Sequence, residues 1–368
     1  MFLPLFRLLR KAGCLIPICL LVVTLIALHA YNTKKDALDL DDAVLPLPST
    51  RNEGTSNHRH LFHIYDLHSS LLERFKVIDL SSARRVQNRK DKYNFTCTVS
   101  SSVPSFKICL HEPEKDRFIS AGLLSTGLWE PYITRAFQAA LSRHPDATII
   151  DVGANIGYYS FLSSAMGHKV IAIEPQEENV KRFVAGASAN HWNDNIILLV
   201  NALADSHKNV SLSTNIDNQG GIRVIDTCEQ TGWLFAHRKA QTNTTGCNVP
   251  TLTFDDLLYI VDARTAIIKI DIEGYECRAL ATASRFFAAI NVPYVFMEWR
   301  QMRERQHMAD SACRTEQIRT LSNFFSDRGY VPHEIRSGIQ LNPYSAVNWI
   351  VGDIYWRNKR HDMLVQSL

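Results

Sequence analysis

Residues 148–161 read TIIDVGANIGYYSF, and the rest of the chain can be arranged around them. The β-branched run Thr148, Ile149, Ile150 ends in Asp151, and Gly153 and Gly157 bracket a tight turn. The apolar and aromatic residues after Gly157 read as the start of a helix. Strand, glycine turn and helix make the first crossover of an open, mostly parallel α/β sheet. Ligands in such sheets sit beyond the carboxyl ends of the strands, so this turn is expected to floor a nucleotide-type pocket.

The chemistry of the turn narrows the ligand. A dinucleotide fold shows G-x-G-x-x-G, with backbone amides and a helix N-terminus facing a pyrophosphate. Here two glycines are spaced G-x-x-x-G and a carboxylate, Asp151, stands just before them. That acid repels a pyrophosphate. S-adenosylmethionine has no phosphate, and its ammonium and sulfonium are attracted by a nearby carboxylate. Glu174 closes a second strand, 169–173, where an acid can accept both ribose hydroxyls. A glycine turn alone is also compatible with a purely structural βα turn; together with Glu174 at this offset it predicts an S-adenosylmethionine site. Asp151 and Glu174 are its acids, with Gly153, Asn155 and Gly157 shaping the turn.

Further along, 177–189 reads as a helix and 195–201 as the third strand. Asp205 follows that strand, either as an adenine contact or as a turn aspartate. The stretch 209–252 is a longer excursion with glycines, two cysteines and two sequons, a candidate acceptor-binding or lid element. Thr253 caps a helix start over 253–259. Residues 266–276 read AIIKIDIEGYE, a buried strand whose carboxyl end carries Asp271, Glu273 and Glu276 around Gly274. Asp271 is the first candidate to orient or deprotonate an acceptor, with Glu273 and Glu298 behind it. Glu276 suits the first turn of a helix. Lys269, buried and unpaired, would be costly, so it is expected to pair with one of these acids. A helix is expected over 279–290. A fifth strand, 292–299, brings Glu298 to the same edge. A helix over 312–328 and a hairpin from 330–335 and 347–356 finish the chain. Upstream, 118–132 leads into a helix over 133–141, with Trp129 and Glu130 where a loop could cover the cofactor; a buried Trp beside an exposed acid is the alternative. No ligand spacing supports a metal, and none is assigned.

A net charge of +3, with no dense basic helix, gives no footprint for nucleic acid. The N-terminus carries a different signal. Residues 12–31 are uncharged and mostly apolar, long enough to span a bilayer. Arg7, Arg10 and Lys11 precede them, and Lys34 and Lys35 are diluted by four aspartates, which favours a cytosolic N-terminus and a lumenal body. A cleaved signal peptide is the alternative. Six cysteines lie beyond this segment. Cys97 with Cys109, and Cys228 with Cys247, are plausible local bridges in an oxidising lumen. Sequons at Asn94, Asn209 and Asn243 agree with that compartment. A helix is expected over 61–80 and a hairpin over 93–110. The expected organisation is a cytosolic tail (1–11), a transmembrane signal anchor (12–31), a stem and extension (32–115) and a catalytic domain (116–360).

Several segments in order resemble the FkbM family of S-adenosylmethionine-dependent methyltransferases. They are Gly127-Leu128-Trp129-Glu130, DVGANIGYYS from Asp151 to Ser160, Ile173-Glu174-Pro175 and Asn201-Ala202-Leu203-Ala204-Asp205. The segment from Thr253 to Leu258 and KIDIEGYE from Lys269 to Glu276 complete the set. The resemblance implies a Rossmann-like class I methyltransferase fold and O-methylation, often of sugar hydroxyls. With a lumenal body in the Golgi or endoplasmic reticulum, glycans are the expected acceptors. A lipid or small-molecule acceptor, a non-catalytic tethered binding protein and an oxidoreductase are the rival readings.

Overall fold

The computed structural model describes residues 71, 73–78, 80, 95–192, 194–213, 221–226 and 246–360. The expected anchor at 12–31, most of the stem, Cys228 and the sequons at Asn94 and Asn243 lie outside the described residues. Among the described residues, no helix is long and apolar enough to cross a membrane.

In chain order, the first strands are β1 (Val77–Ile78), β2 (Cys97–Val99) and β3 (Lys107–Cys109). Helices α1 (Ile119–Thr126) and α2 (Pro131–Arg143) lead to β4 (Thr148–Val152), α3 (Tyr158–Ala165), β5 (Val170–Ile173), α4 (Glu177–Ala189) and β6 (Ile196–Leu199). Four short strands follow: β7 (Ala202–Leu203), β8 (Asn209–Leu212), β9 (Val224–Ile225) and β10 (Val249–Leu252). The chain then runs through β11 (Ala266–Ile270), α5 (Glu276–Leu280), α6 (Ser284–Ala289), β12 (Tyr294–Glu298), α7 (Arg300–Arg305) and α8 (Thr315–Asp327) to β13 (Tyr330–Glu334) and β14 (Asp353–Asn358).

Among the described residues, eight strands form one sheet in the order β1-β6-β5-β4-β11-β12-β14-β13. The five from β6 to β12 are parallel. Strand β14 runs antiparallel between β12 and β13. This is a Rossmann-like arrangement, with the expected C-terminal hairpin closing the sheet. The central strands are apolar throughout because both faces of a parallel sheet are covered. Alternation divides them cleanly. Ile149, Ile267 and Phe296 pack with Phe137, Phe161 and Phe183 on the side of α2, α3 and α4. Ile150, Val152, Ile268 and Ile270 pack with Phe254, Phe286, Trp299 and Trp356 on the other side.

Four expectations need correction. Within the helix expected over 61–80, the described residues Leu71 and Leu80 are helical, but Val77 and Ile78 form β1 and pair antiparallel with Leu199 and Leu198. The helix over 279–290 is two short helices, α5 and α6. Asp255, distant in sequence, accepts the Phe286 amide at 2.7 Å and starts the second one. The last strand begins at Asp353 rather than 347, because 343–348 form a 3₁₀ turn opened by Asn342 and Pro343. The helix expected over 253–259 is a 3₁₀ helix with the Thr253–Asp256 capping box. The hairpin over 93–110 is present, closed by the Cys97–Cys109 disulfide. Its Phe106, Ile108 and Leu110 are buried in the α2–α3–α4 layer, so the core draws on residues before 116.

Candidate functional site

At the carboxyl edge of the sheet a cleft of about 580 Å³ opens over β4, β5, β11 and β12. The register explains which side chains reach it. Asp151 and Lys269 are partners on adjacent central strands, and Glu298 is paired with Asp353 because antiparallel β14 starts where parallel β12 ends. The cleft is lined by Trp129, Glu130, Asp151, Gly153, Asn155, Glu174, Asp271, Glu273 and Glu298. The structure therefore gathers nine of the eleven residues picked from the sequence. Gly157 sits below the lining as the residue opening α3, with φ 99°. Asp205 is elsewhere: it pairs with Lys208 at 3.1 Å and with Arg278. Of its two readings, the turn role is the one the contacts support.

The glycine turn is held by packing. Gly153 has φ 79°, and a Cβ there would run into the backbone carbonyl oxygen of Asp271. The glycine thus lets the β4 turn lie directly against the β11 turn, which places the two acid-bearing loops side by side. A Cβ on Gly157 would sit 2.8 Å from Cζ of Phe161. Asp151 is buried and accepts the Ser160 hydroxyl at 2.6 Å, tying the strand end to α3. Burial lifts its pKa to about 6, against the help of Ser160 and Lys269.

Glu174 is set in place by the backbone. Its Oε2 accepts the Asn155 amide at 2.8 Å. Its Oε1 accepts the Gln176 amide at 2.8 Å and, at 3.3 Å, the Asn179 side chain. Each carboxylate oxygen has two lone pairs, so Oε2 keeps one for a hydroxyl donor such as a ribose. Burial nonetheless raises the pKa to about 7, the hydrogen bonds only moderating it. A carboxylate poised there, with donors already in position, fits a nucleoside sugar.

The opposite wall is crowded with charge. The Lys269 ammonium is 3% exposed, lies 3.0 Å from Asp271 Oδ2 and sits 5.0 Å from the centre of the Tyr159 ring. Burial opposes its charge, but Asp271, Glu130 and Asp353 outweigh burial and hold its pKa above the ordinary value. Glu130, at φ 42°, accepts the Tyr159 hydroxyl at 2.9 Å, and burial lifts it to about 7. Burial followed by the Asp271 charge pushes Glu273 to about 8. Burial and the neighbouring acids Asp271, Glu273 and Glu276 push Glu298 up to about 11. Asp271 lines the cleft with its side chain 29% exposed, and Glu130, Glu273 and Asp353 are half-buried beside it.

Sequence reading did not single out Asp353, Tyr159, Arg300 or Arg336, which also line the cleft. Asp353 stays hidden because an antiparallel strand expected from 347 puts it mid-strand, whereas β14 starts at Asp353, opposite Glu298.

Residues 151–332 match the methyltransferase FkbM domain. No curated protein matches the chain. Among solved structures, it is similar to an O-methyltransferase from Bacillus cereus in complex with SAH, at 9% identity and a TM-score of 0.35, covering 62% of this chain and 80% of that one. A precorrin-6y C5,15-methyltransferase from Geobacter metallireducens is similar at 10% identity and a TM-score of 0.29, covering 61% and 85%. A putative RNA methyltransferase from Pyrococcus horikoshii is similar at 14% identity and a TM-score of 0.28, covering 61% and 83%.

Proposed function

We propose that this chain, whose residues 151–332 match the methyltransferase FkbM domain, is an S-adenosylmethionine-dependent O-methyltransferase acting on a sugar hydroxyl of glycans in the secretory-pathway lumen. The observation that carries the reading is Glu174. It is a buried acid at the end of the second central strand, preset by two backbone amides and with acceptor capacity left over. Asp151 supplies negative charge on the adjoining strand, as a positively charged donor requires and a pyrophosphate would not tolerate.

S-adenosylmethionine supplies the methyl group: the acceptor oxygen forms the new O–C bond while the S–C bond breaks and its electron pair stays on sulfur. Asp271 takes the hydroxyl proton, since a sugar hydroxyl keeps it far above neutral pH and a positioned carboxylate is worth about 10²–10⁴ in rate. Lys269 fixes that carboxylate in one orientation. Trp129 and Tyr132 give the cleft aromatic lining for a sugar ring, with the Arg336 guanidinium 4.2 Å from the centre of the Tyr132 ring.

The compartment is argued from cysteine chemistry and sequence. Cys97–Cys109 and Cys277–Cys313 are disulfides, which persist in oxidising surroundings. The sequon residue Asn209 is exposed on β8. The apolar segment 12–31 and its flanking charges support a type II anchor in the Golgi or endoplasmic reticulum membrane. The test is mass spectrometry of glycans from cells lacking or overproducing the protein. A gain of one methyl per glycan that depends on Asp271 is expected. Unchanged glycans with a methylated lipid or small molecule would move the acceptor to that class.

A further inference from the structure

Three carboxyl groups converge where β11 and β12 leave the sheet. Asp271, Glu276 and Glu298 each offer one oxygen, and all three oxygens lie within 4.8 Å of one another. Two of the three are buried in a way the protein does not compensate. Glu276 is fully buried; its Oε1 accepts the Ile272 amide at 3.0 Å and the Gly274 amide at 3.4 Å, while Oε2 has no hydrogen-bond partner. Glu298 is 8% exposed and its Oε2 also has no hydrogen-bond partner. The cation nearest to Glu298 is Arg300, at 3.8 Å from the other oxygen and itself more than half exposed. Lys269 is committed to Asp271.

Buried acceptors without donors are costly, and converging carboxylates repel. A cation between them relieves both penalties at once. The spacing admits one: two oxygens that share an ion, each at about 2.1–2.4 Å, are at most about 4.2–4.8 Å apart, and these three lie within 4.8 Å of one another. The ligand set is all carboxylate, with no histidine or cysteine, which selects a hard ion such as Mg²⁺, Mn²⁺ or Ca²⁺ over Zn²⁺ or Cu²⁺.

We propose that Asp271, Glu276 and Glu298 form a divalent-cation site at the inner end of the cleft. Three protein oxygens leave room in the coordination sphere for water or an acceptor oxygen, on the side where Asp271 faces the cleft. For methyl transfer, an ion there polarises the acceptor hydroxyl and eases loss of its proton. That role rests on the function proposed above; the binding itself does not.

The experiment strips the purified full-length chain with a chelator and titrates it with Mn²⁺, following the free ion by electron paramagnetic resonance. S-adenosylmethionine is titrated calorimetrically into the same samples as a separate readout of the donor site and of folding. One Mn²⁺ per chain is expected, with affinity reduced at least about tenfold in Glu298→Gln and in Glu276→Gln. Should Glu276→Gln fail to fold, because its Oε1 holds two backbone amides, Glu298→Gln decides alone. Absence of saturable Mn²⁺ binding overturns the site whether or not the methyl donor binds, and so does binding unchanged by Glu298→Gln. Binding of Mn²⁺ without the methyl donor would keep the site and sink the methyltransferase reading.

Discussion

The Lys269 ammonium sits 3.0 Å from Oδ2 of Asp271, two residues further along the same chain, with its side chain 3% exposed. One buried cation thus serves the strand end that carries the proposed base, and Glu130 and Asp353 draw on the same charge. Removing it leaves several acids without compensation. Lys269→Met is therefore expected to destabilise the fold by about 3 kcal/mol, the scale for breaking a buried pair from one side. Urea denaturation measures it; a stability equal to the parent's would mean the acids are relieved in some other way.

Asp271→Asn keeps the shape of the side chain and removes its ability to take a proton. Methyl transfer to the natural acceptor should fall by about 10²-fold or more, with S-adenosylmethionine affinity within a fewfold of the parent. Turnover at the parental rate would remove Asp271 from the base role.

The buried acids also make the unliganded fold sensitive to alkali. Glu174 titrates at about 7 in the folded chain, and a free glutamate near about 4.3. The folded state binds the extra proton in between, so this stabilising contribution is complete below about pH 4 and is lost as pH rises through 7. Asp151, at about 6, acts in the same direction over a lower window. The melting temperature should fall from pH 5 to pH 8. Glu174→Gln should flatten that slope and add about 1–3 kcal/mol at pH 8. A profile that rises over this range would contradict the burial argument.

Cys277–Cys313 ties α5, which carries Glu276, to the segment before α8 across 36 residues. Cys313→Ser, with its partner replaced as well, should cost about 2–4 kcal/mol on the chain-entropy scale. A loss of unfolding free energy under about 1 kcal/mol, measured by denaturant titration, would show that the loop is held by packing alone.

Gly153→Ala meets both a positive φ and the carbonyl of Asp271. It should weaken S-adenosylmethionine binding and destabilise the fold by about 1–3 kcal/mol. Wild-type behaviour would mean the two turns can part at little cost.

The sheet was legible because its parallel strands are short apolar runs, four of the five with an acid at the same edge: Asp151, Glu174, Asp271 and Glu298. Burial on both faces dictates the first feature. What stayed hidden is set by partners distant in sequence. Asp255 starts α6 by accepting an amide 31 residues away, β1 acquires strand geometry from β6, and Arg278 claims Asp205 across 73 residues. Glu276 reads locally as a helix-entry acid, and its Oε1 accepts two backbone amides there; only the folded chain brings its carboxyl group beside Glu298.

Everything in the functional account depends on a positively charged nucleoside donor being held at Glu174. Calorimetric titration of S-adenosylmethionine into the purified chain between pH 6 and pH 8 addresses it directly. One-site binding should tighten about tenfold over that interval as the acid near pKa 7 ionises, and Glu174→Gln should weaken it and abolish the trend. No binding heat, or equal affinity in the parent and in Glu174→Gln, would contradict the account.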